Sequence, residues 1–150
     1  MMRAIIATIL IVMLVTGAAA ETELWVLCQP DSYVNIRFAP KTNSEKTGYL
    51  MLGDKVLTDG KRKNGFTHIL GYTEAGEGWV HTGFLIEDEP VIRTQAATIN
   101  SKGRVACRRS VNGTRRHWLK NGDSVRVYAR GWEWCITDKG FVKTAFLWLE

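Results

Sequence analysis

Two nearly identical strings, GWVHTGFL at residues 78–85 and GFVKTAFL at residues 140–147, constrain the fold of this chain most strongly. Five of their eight positions are identical, and the second position is aromatic in both. Three further blocks recur before them in the same order, at offsets of 71, 69 and 66 residues, against 62 for the strings themselves. The blocks are residues 34–37 and 105–108, 49–56 and 118–125, and 64–69 and 130–135. This order predicts two copies of one folded unit, with shorter loops in the second copy.

The pattern within each copy is typical of short β-strands. Apolar and polar residues alternate at residues 55–58 and 124–128, and Gly-Asp and Asn-Gly pairs punctuate the runs. No segment after Ala20 keeps a helical period for three turns. We therefore expect an all-β protein with five or six short strands in each copy. So small a unit avoids exposed sheet edges best by curling into a barrel.

The first 20 residues have the order of a secretory signal peptide. Arg3 precedes an apolar run at residues 4–15, and small residues follow up to Ala20, after which we expect cleavage. The alternative is an uncleaved membrane anchor, but 12 apolar residues fall short of the ~20 that span a bilayer. A lipoprotein is excluded because Cys28 follows large apolar residues. Membrane contact is therefore expected only through this segment, if it stays uncleaved.

The first copy resembles a bacterial Src-homology-3 domain. The resemblance rests on VNIR at 34–37, GYL at 48–50, Gly-Asp at 53–54, NGF at 64–66 with Ile69, and GWV at 78–80 ending in Phe-Leu. The second copy keeps an arginine at 108, Gly-Asp at 122–123, Gly-Trp at 131–132 and GFV at 140–142. It departs from the pattern at Ala106 and Cys107, which replace asparagine and isoleucine.

The resemblance implies two small five-stranded barrels in tandem. We place the first at residues 21–87, a linker at 88–96 and the second barrel at 97–150. It also implies a role that such modules often have in secreted proteins, which is attachment to peptidoglycan or another cell-wall polymer.

The two copies differ in charge. Residues 21–87 hold 7 basic and 9 acidic side chains, whereas residues 97–150 hold 11 basic and 4 acidic ones. A basic second half suggests attraction to an anionic partner or to the acidic first half. Nucleic acid suits the charge, but export argues against it.

Three cysteines leave the pairing open, and the repeat offers a way to choose. Cys107 aligns with Ile36 and Cys135 with Ile69, two core positions of the first copy. We predict a Cys107–Cys135 disulfide on that ground. The alternative is two free thiols that act as small hydrophobic residues. Cys28 aligns with Ile99 in the first strand, where we expect a buried free thiol, with an intermolecular bridge also open.

The residues do not assemble a predicted active site. His68, His81 and His117 are dispersed, and no CxxC or nearby histidine pair favours a metal. Asp54 and Asp123 each follow a glycine, where a turn former is expected. We predict a protein without enzymatic activity, metal or cofactor.

Candidate ligand residues follow from the resemblance, which implies that aromatic residues in loops and at strand edges hold the partner. In the first copy the candidates are Tyr33, Arg37, Tyr49, His68 and Trp79. His68 should point away from the core if Ile69 points inward, because neighbours in a strand alternate.

The second copy offers basic and aromatic candidates. Trp134 should be exposed beside an inward Cys135, although packing against the other barrel is the alternative. A dense basic run, beginning at Arg104 and ending at Lys120, suits phosphates of teichoic acids or carboxylates of peptidoglycan stems. A solvated face is the alternative for this run. The candidate ligand residues of the second copy are Arg108, Arg109, Arg115, Arg116, Trp118, Trp132 and Trp134.

Together these observations predict a secreted, non-enzymatic protein that binds a cell-wall polymer. The second hypothesis is a protein–protein module, such as an inhibitor or adaptor of a secreted enzyme. The third is that the basic half binds anionic lipid or nucleic acid. The sequence leaves the oligomeric state open.

Overall fold

The computed structural model describes residues 20–71 and 76–150, and within them the chain forms two antiparallel β-sheets and no α-helix. The all-β prediction is thereby confirmed. Apart from Ala20, the predicted signal peptide at residues 1–20 lies outside the described residues.

The first sheet, here called the first barrel, contains β1 to β7, and the second barrel contains β8 to β14. The first has β1 Thr22–Val26, β2 Val34–Arg37, β3 Lys46–Leu50, β4 Lys55–Lys63, β5 Phe66–Gly71, β6 Gly78–His81 and β7 Leu85–Ile86. The second has β8 Val91–Ile99, β9 Val105–Arg108, β10 Arg115–Leu119, β11 Ser124–Arg130, β12 Trp134–Thr137, β13 Gly140–Lys143 and β14 Leu147–Leu149. A 3-10 turn precedes the last strand of each barrel, at Thr82–Phe84 and Thr144–Phe146.

The two barrels share one topology. The strand order is β3-β2-β6-β5-β4-β1-β7 in the first and β10-β9-β13-β12-β11-β8-β14 in the second, so every strand has a counterpart seven places later. Each sheet has seven strands, more than the five or six predicted. The segment at residues 88–96, expected as a linker, contains the start of β8, because Val91 to Ala96 pair with β11.

Alternation along the strands builds a separate core in each barrel. Val34, Ile36 and Leu50 point inward in the first barrel, and their counterparts in the second include Val105 and Leu119. The second core is built from smaller residues at several positions, with Ala97 where the first has Leu24 and Cys107 where it has Ile36.

The Gly-Asp pairs form the same turn in both barrels, as predicted. Asp54 Oδ2 accepts a hydrogen bond from the Met51 N–H at 2.7 Å, and Asp123 Oδ2 accepts one from the Lys120 N–H at 2.7 Å. The glycine before each aspartate has a positive φ of 86° or 87°, which favours glycine. These carboxylates therefore serve the backbone.

The predicted alignment of β5 with β12 is wrong by two residues. Phe66 pairs with His81, and Trp134 pairs with Lys143, the counterpart of His81, so Trp134 occupies the place of Phe66. Cys135 consequently takes the place of Thr67 rather than that of Ile69. Cys135 still faces the core, because the shift by an even number of residues preserves the face.

The predicted Cys107–Cys135 disulfide is also wrong, since both cysteines are free and buried. Cys107 lies on β9 and Cys135 on β12, with β13 hydrogen-bonded between them. Two strand spacings put their Cα atoms about 9.5 Å apart, beyond the reach of a disulfide. The Cys135 thiol lies 3.3 Å from Thr144 Oγ1 instead. Both cysteines pack as small hydrophobic residues.

Cys28 is a free buried thiol, as expected, but its predicted place is wrong. It follows β1 by two residues, and Val26, not Cys28, is the counterpart of Ile99.

The barrels pack against each other through a third apolar cluster. Leu27 and Ile86 from the first barrel meet Trp134, Ile136 and Phe141 from the second. Hydrogen bonds cross the same boundary. The Val111 N–H donates to Gly83 O at 2.8 Å, and Gln29 Nε2 donates to Thr137 O at 2.9 Å.

Candidate ligand-binding sites

The first candidate site is an open groove on the outer face of the β2–β3 hairpin. Val34, Ile36 and Leu50 point into the core. Their immediate neighbours in the chain, which are Tyr33, Asn35 and Tyr49, therefore point outward. Tyr33 and Tyr49 are 59% and 64% exposed, and their ring centroids lie 5.6 Å apart at an interplanar angle of 58°.

Polar residues surround this tyrosine pair. Asn35 is directly opposite Tyr49 in the pairing of β2 with β3, and Lys46 and Met51 also line the groove. The groove has a volume of about 780 Å³. It offers two aromatic faces, an amide and an ammonium, which suits a polar polymer with flat or ring-shaped units.

The β9–β10 hairpin of the second barrel presents the corresponding site with different chemistry. Trp118 is opposite Ala106 and is the counterpart of Tyr49, while Arg104 and Arg115 are the counterparts of Tyr33 and Lys46. The guanidinium carbons of Arg104 and Arg115 lie 4.7 and 4.5 Å from the Trp118 ring centroid. The result is an exposed indole in contact with two cations.

Two of the predicted arginines hold loops. Arg37 Nη1 donates to Ser44 O at 3.0 Å, and Arg108 Nη1 donates to Gly113 O at 2.9 Å. The two occupy equivalent positions, so the hydrogen bond is a repeated feature of the loop after β2 and β9. Arg109 and Arg116 are exposed on the second barrel.

His68 lies outside the core of the first barrel, in agreement with the predicted outward orientation, but only 8% of it is exposed. Its Nδ1 is 2.9 Å from Asp59 Oδ2, its Nε2 is 2.7 Å from Glu77 Oε1, and its ring is tilted over Trp79 with centroids 4.9 Å apart. Burial raises the pKa of the Asp59 carboxyl, but hydrogen bonds from the Lys61 N–H and His68 outweigh this and lower the pKa overall. Hydrogen bonds to Asp59 and Glu77 therefore fix the His68 ring in place beside Trp79.

The prediction that Trp134 is exposed is wrong. Its side chain points away from the core of its own barrel, as alternation requires, but the first barrel covers it and leaves only 3% exposed. The alternative of packing against the other barrel is the observed one. Trp132, two residues earlier, is 88% exposed.

Sequence reasoning missed part of both hairpin sites. The basic run does not distinguish Arg104 from its neighbours, and the sequence pattern does not mark Lys46 or Met51 as site residues. The repeat alignment contained the signal for Arg104, since the residue before Val105 corresponds to Tyr33 before Val34.

The described part of the chain holds no group of three or more His, Cys, Asp and Glu side chains that could bind a metal ion. It also contains no helix with the length and hydropathy that crossing a membrane requires.

Comparison with known proteins finds one family match, within the first barrel. Residues 32–86 match the family model described as Bacterial SH3 domain. A search of the curated proteins gives no significant match.

Two solved structures from Trichomonas vaginalis resemble the chain. NlpC1 has a TM-score of 0.40 and 15% sequence identity, and the alignment covers 90% of this chain and 48% of that one. NlpC2 has a TM-score of 0.39 and 14% identity, with 88% and 49% covered. The chain thus spans about half the length of these two proteins.

Proposed function

We propose that this protein is an exported, non-enzymatic binding protein that attaches to a polymer of the cell wall through its two hairpin sites. The observation that carries the proposal is the repetition of one site with two chemistries. An exposed aromatic residue stands at the same place on both outer hairpins, as Tyr49 and as Trp118.

The second hairpin suits an anionic group. The guanidinium groups of Arg104 and Arg115 both lie within cation–π distance of the Trp118 ring. Guanidinium N–H groups donate paired hydrogen bonds to carboxylates and phosphates. Peptidoglycan stems supply carboxylates, and teichoic acids supply phosphates.

The first hairpin suits a neutral portion of the same polymer. Tyr33 and Tyr49 provide aromatic contact area at low entropic cost, and their hydroxyl groups both donate and accept hydrogen bonds. The first barrel has more acidic than basic side chains, which directs anionic groups towards the second barrel. The match of residues 32–86 to Bacterial SH3 domain supports a role in the cell envelope.

Binding to purified sacculi tests the proposal. The purified protein is mixed with sacculi at low salt and centrifuged, and the pelleted fraction is measured against concentration. We expect saturable pelleting, weakened about tenfold or more by Tyr33→Ala/Tyr49→Ala and by Arg104→Ala/Arg115→Ala, since aromatic and arginine anchors carry most binding energy.

A matched control separates the site from its charge. Arg93→Ala/Arg126→Ala removes two exposed positive charges from the same barrel away from the hairpin, and it should pellet like the parent. Equal loss in both arginine variants would show that net charge, rather than the Trp118 site, holds the polymer. A parent protein that stays in the supernatant would favour the protein–protein hypothesis.

A further inference from the structure

A second kind of cavity lies between the two barrels. This inter-barrel cleft has a volume of about 490 Å³ and is lined by residues from both units. Its size and its position at a domain boundary are typical of small-molecule sites. The lining side chains with aromatic, polar or charged groups include Arg62, His81, Glu87 and Asp88 from the first barrel and its connector, and Trp132, Glu133 and Trp134 from the second.

An unsatisfied donor lies in its wall. Trp134 is 3% exposed, and its indole Nε1 has no hydrogen-bond partner among the described residues. Among the described residues, every other buried side-chain nitrogen or oxygen has a hydrogen-bond partner. Leaving such a group unpaired costs about 1–3 kcal/mol. Because Nε1 is itself buried, a ligand oxygen recovers part of that cost only when the side chains over this atom move aside.

His81 supplies a second donor. Its Nδ1 accepts the Gly83 N–H at 3.1 Å, so the neutral ring carries its proton on Nε2. Burial lowers the pKa of His81, which keeps the ring neutral at physiological pH. No described residue accepts a hydrogen bond from this Nε2.

Trp132 provides an aromatic platform at the rim. Its side chain is 88% exposed, while its backbone N–H donates to Asp88 Oδ2 at 2.6 Å. This hydrogen bond joins the connector to the second barrel and fixes the backbone at the base of the exposed indole. A large apolar face held open to solvent beside a cleft favours stacking on a ring.

The charges around the cleft exclude some ligands. Glu87, Asp88 and Glu133 line it with one guanidinium, that of Arg62. Lys143 Nζ lies 3.4 Å from Glu133 Oε1, and the five charges together still leave a net negative wall for a phosphate or carboxylate. An ammonium ion would suit the acids but offers no acceptor to the Trp134 and His81 donors. Sugar hydroxyls both donate and accept, and a sugar ring stacks on an indole.

We propose that the inter-barrel cleft binds a neutral oligosaccharide, with one sugar ring stacked on Trp132. This site goes beyond the proposed attachment through the hairpins and does not depend on it. It differs in chemistry as well, because the Trp118 site attracts anionic groups and the cleft repels them.

Calorimetric titration of the purified full chain tests the cleft. The probes are the trimer of N-acetylglucosamine, cellotriose and, as a cation, choline. We expect saturable binding of at least one trisaccharide, no binding of choline, and an affinity reduced about tenfold or more by Trp132→Ala, because a stacked tryptophan is a typical anchor. Trp132 is a surface residue, so this change should leave the fold intact.

Trp148→Ala is the matched control, since Trp148 is also a surface tryptophan, 69% exposed, on the last strand of the same barrel and outside the cleft. It should bind sugar like the parent, as should Arg104→Ala/Arg115→Ala. The proposal is overturned if neither trisaccharide binds, if choline binds in their place, or if Trp132→Ala binds unchanged. Sacculus binding retained alongside any of those results would leave the hairpin proposal standing.

Discussion

At the scale of single residues, the three thiols show how burial decides chemistry. Burial raises the pKa of Cys28 and Cys107 to about 11, with the negative charge of Asp54 adding to the effect at Cys28. Burial also raises the pKa of Cys135. Because the thiolate is the reactive form, all three cysteines should be inert in the folded protein.

Thiol titration checks this. We expect no reaction with a chromogenic disulfide reagent in the native protein at pH 8 and three equivalents after unfolding in guanidinium. The intact mass should not change on reduction. A mass gain of two hydrogens on reduction, with only one titratable thiol in the unfolded protein, would show that two of the cysteines form a disulfide.

The same scale separates what the sequence could predict from what it could not. Alternation correctly placed Cys135 inward and Trp134 outward, because it is a property of one strand. It could not predict that Trp134 is buried, since the cluster that buries it includes residues of the other barrel, among them Leu27 and Ile86. The disulfide prediction was wrong for a similar reason, because the alternation of residues along one strand does not determine the order of the strands in the sheet.

At the scale of elements, the turns that precede β5 and β12 explain why the predicted alignment of these two strands is wrong by two residues. The sequence alignment pairs Gly131 with Gly65, but the two glycines have different structural roles. Gly65 O accepts from the Thr82 N–H, whereas its counterpart in the second barrel is Glu133, which accepts from the Thr144 N–H. A Cβ at Gly131 would lie 2.8 Å from Ile86 Cδ1, so that glycine serves the contact between barrels.

One difference between the repeated strings has a structural cause. Gly83 in GWVHTGFL corresponds to Ala145 in GFVKTAFL. A Cβ at Gly83 would lie 2.6 Å from Ser110 Oγ and 2.7 Å from Ser110 Cβ, across the boundary between barrels. Ala145 is exposed in the equivalent turn of the second barrel. The first copy therefore needs glycine where the second tolerates alanine.

Substitution at this turn tests the packing of the barrels. Gly83→Ala should lower the free energy of unfolding by about 1–3 kcal/mol, as overpacking of a tight contact does. The reverse change at the matched exposed position, Ala145→Gly, should alter it by only about 0.5 kcal/mol. Urea denaturation followed by tryptophan fluorescence measures both. Equal effects at the two positions would contradict the close contact with Ser110.

At the scale of the whole molecule, repetition and difference together produce the candidate sites. The internal repeat predicted two barrels of one topology, and the strand orders agree. It also placed Tyr49 and Trp118 at equivalent positions. The boundary between barrels, and hence the cleft that it encloses, could not be predicted, because it depends on how two separately patterned units meet.

The charge difference between the barrels allows attachment to the cell wall to be tested directly. Sacculi are prepared with their anionic glycopolymers intact or removed by acid extraction, and pelleting of the purified protein is measured at low and at high salt. If the protein attaches to the cell wall, it should bind saturably to intact sacculi at low salt, and both extraction and salt should weaken the binding. Protein that stays in the supernatant with intact sacculi at low salt would contradict attachment to the cell wall.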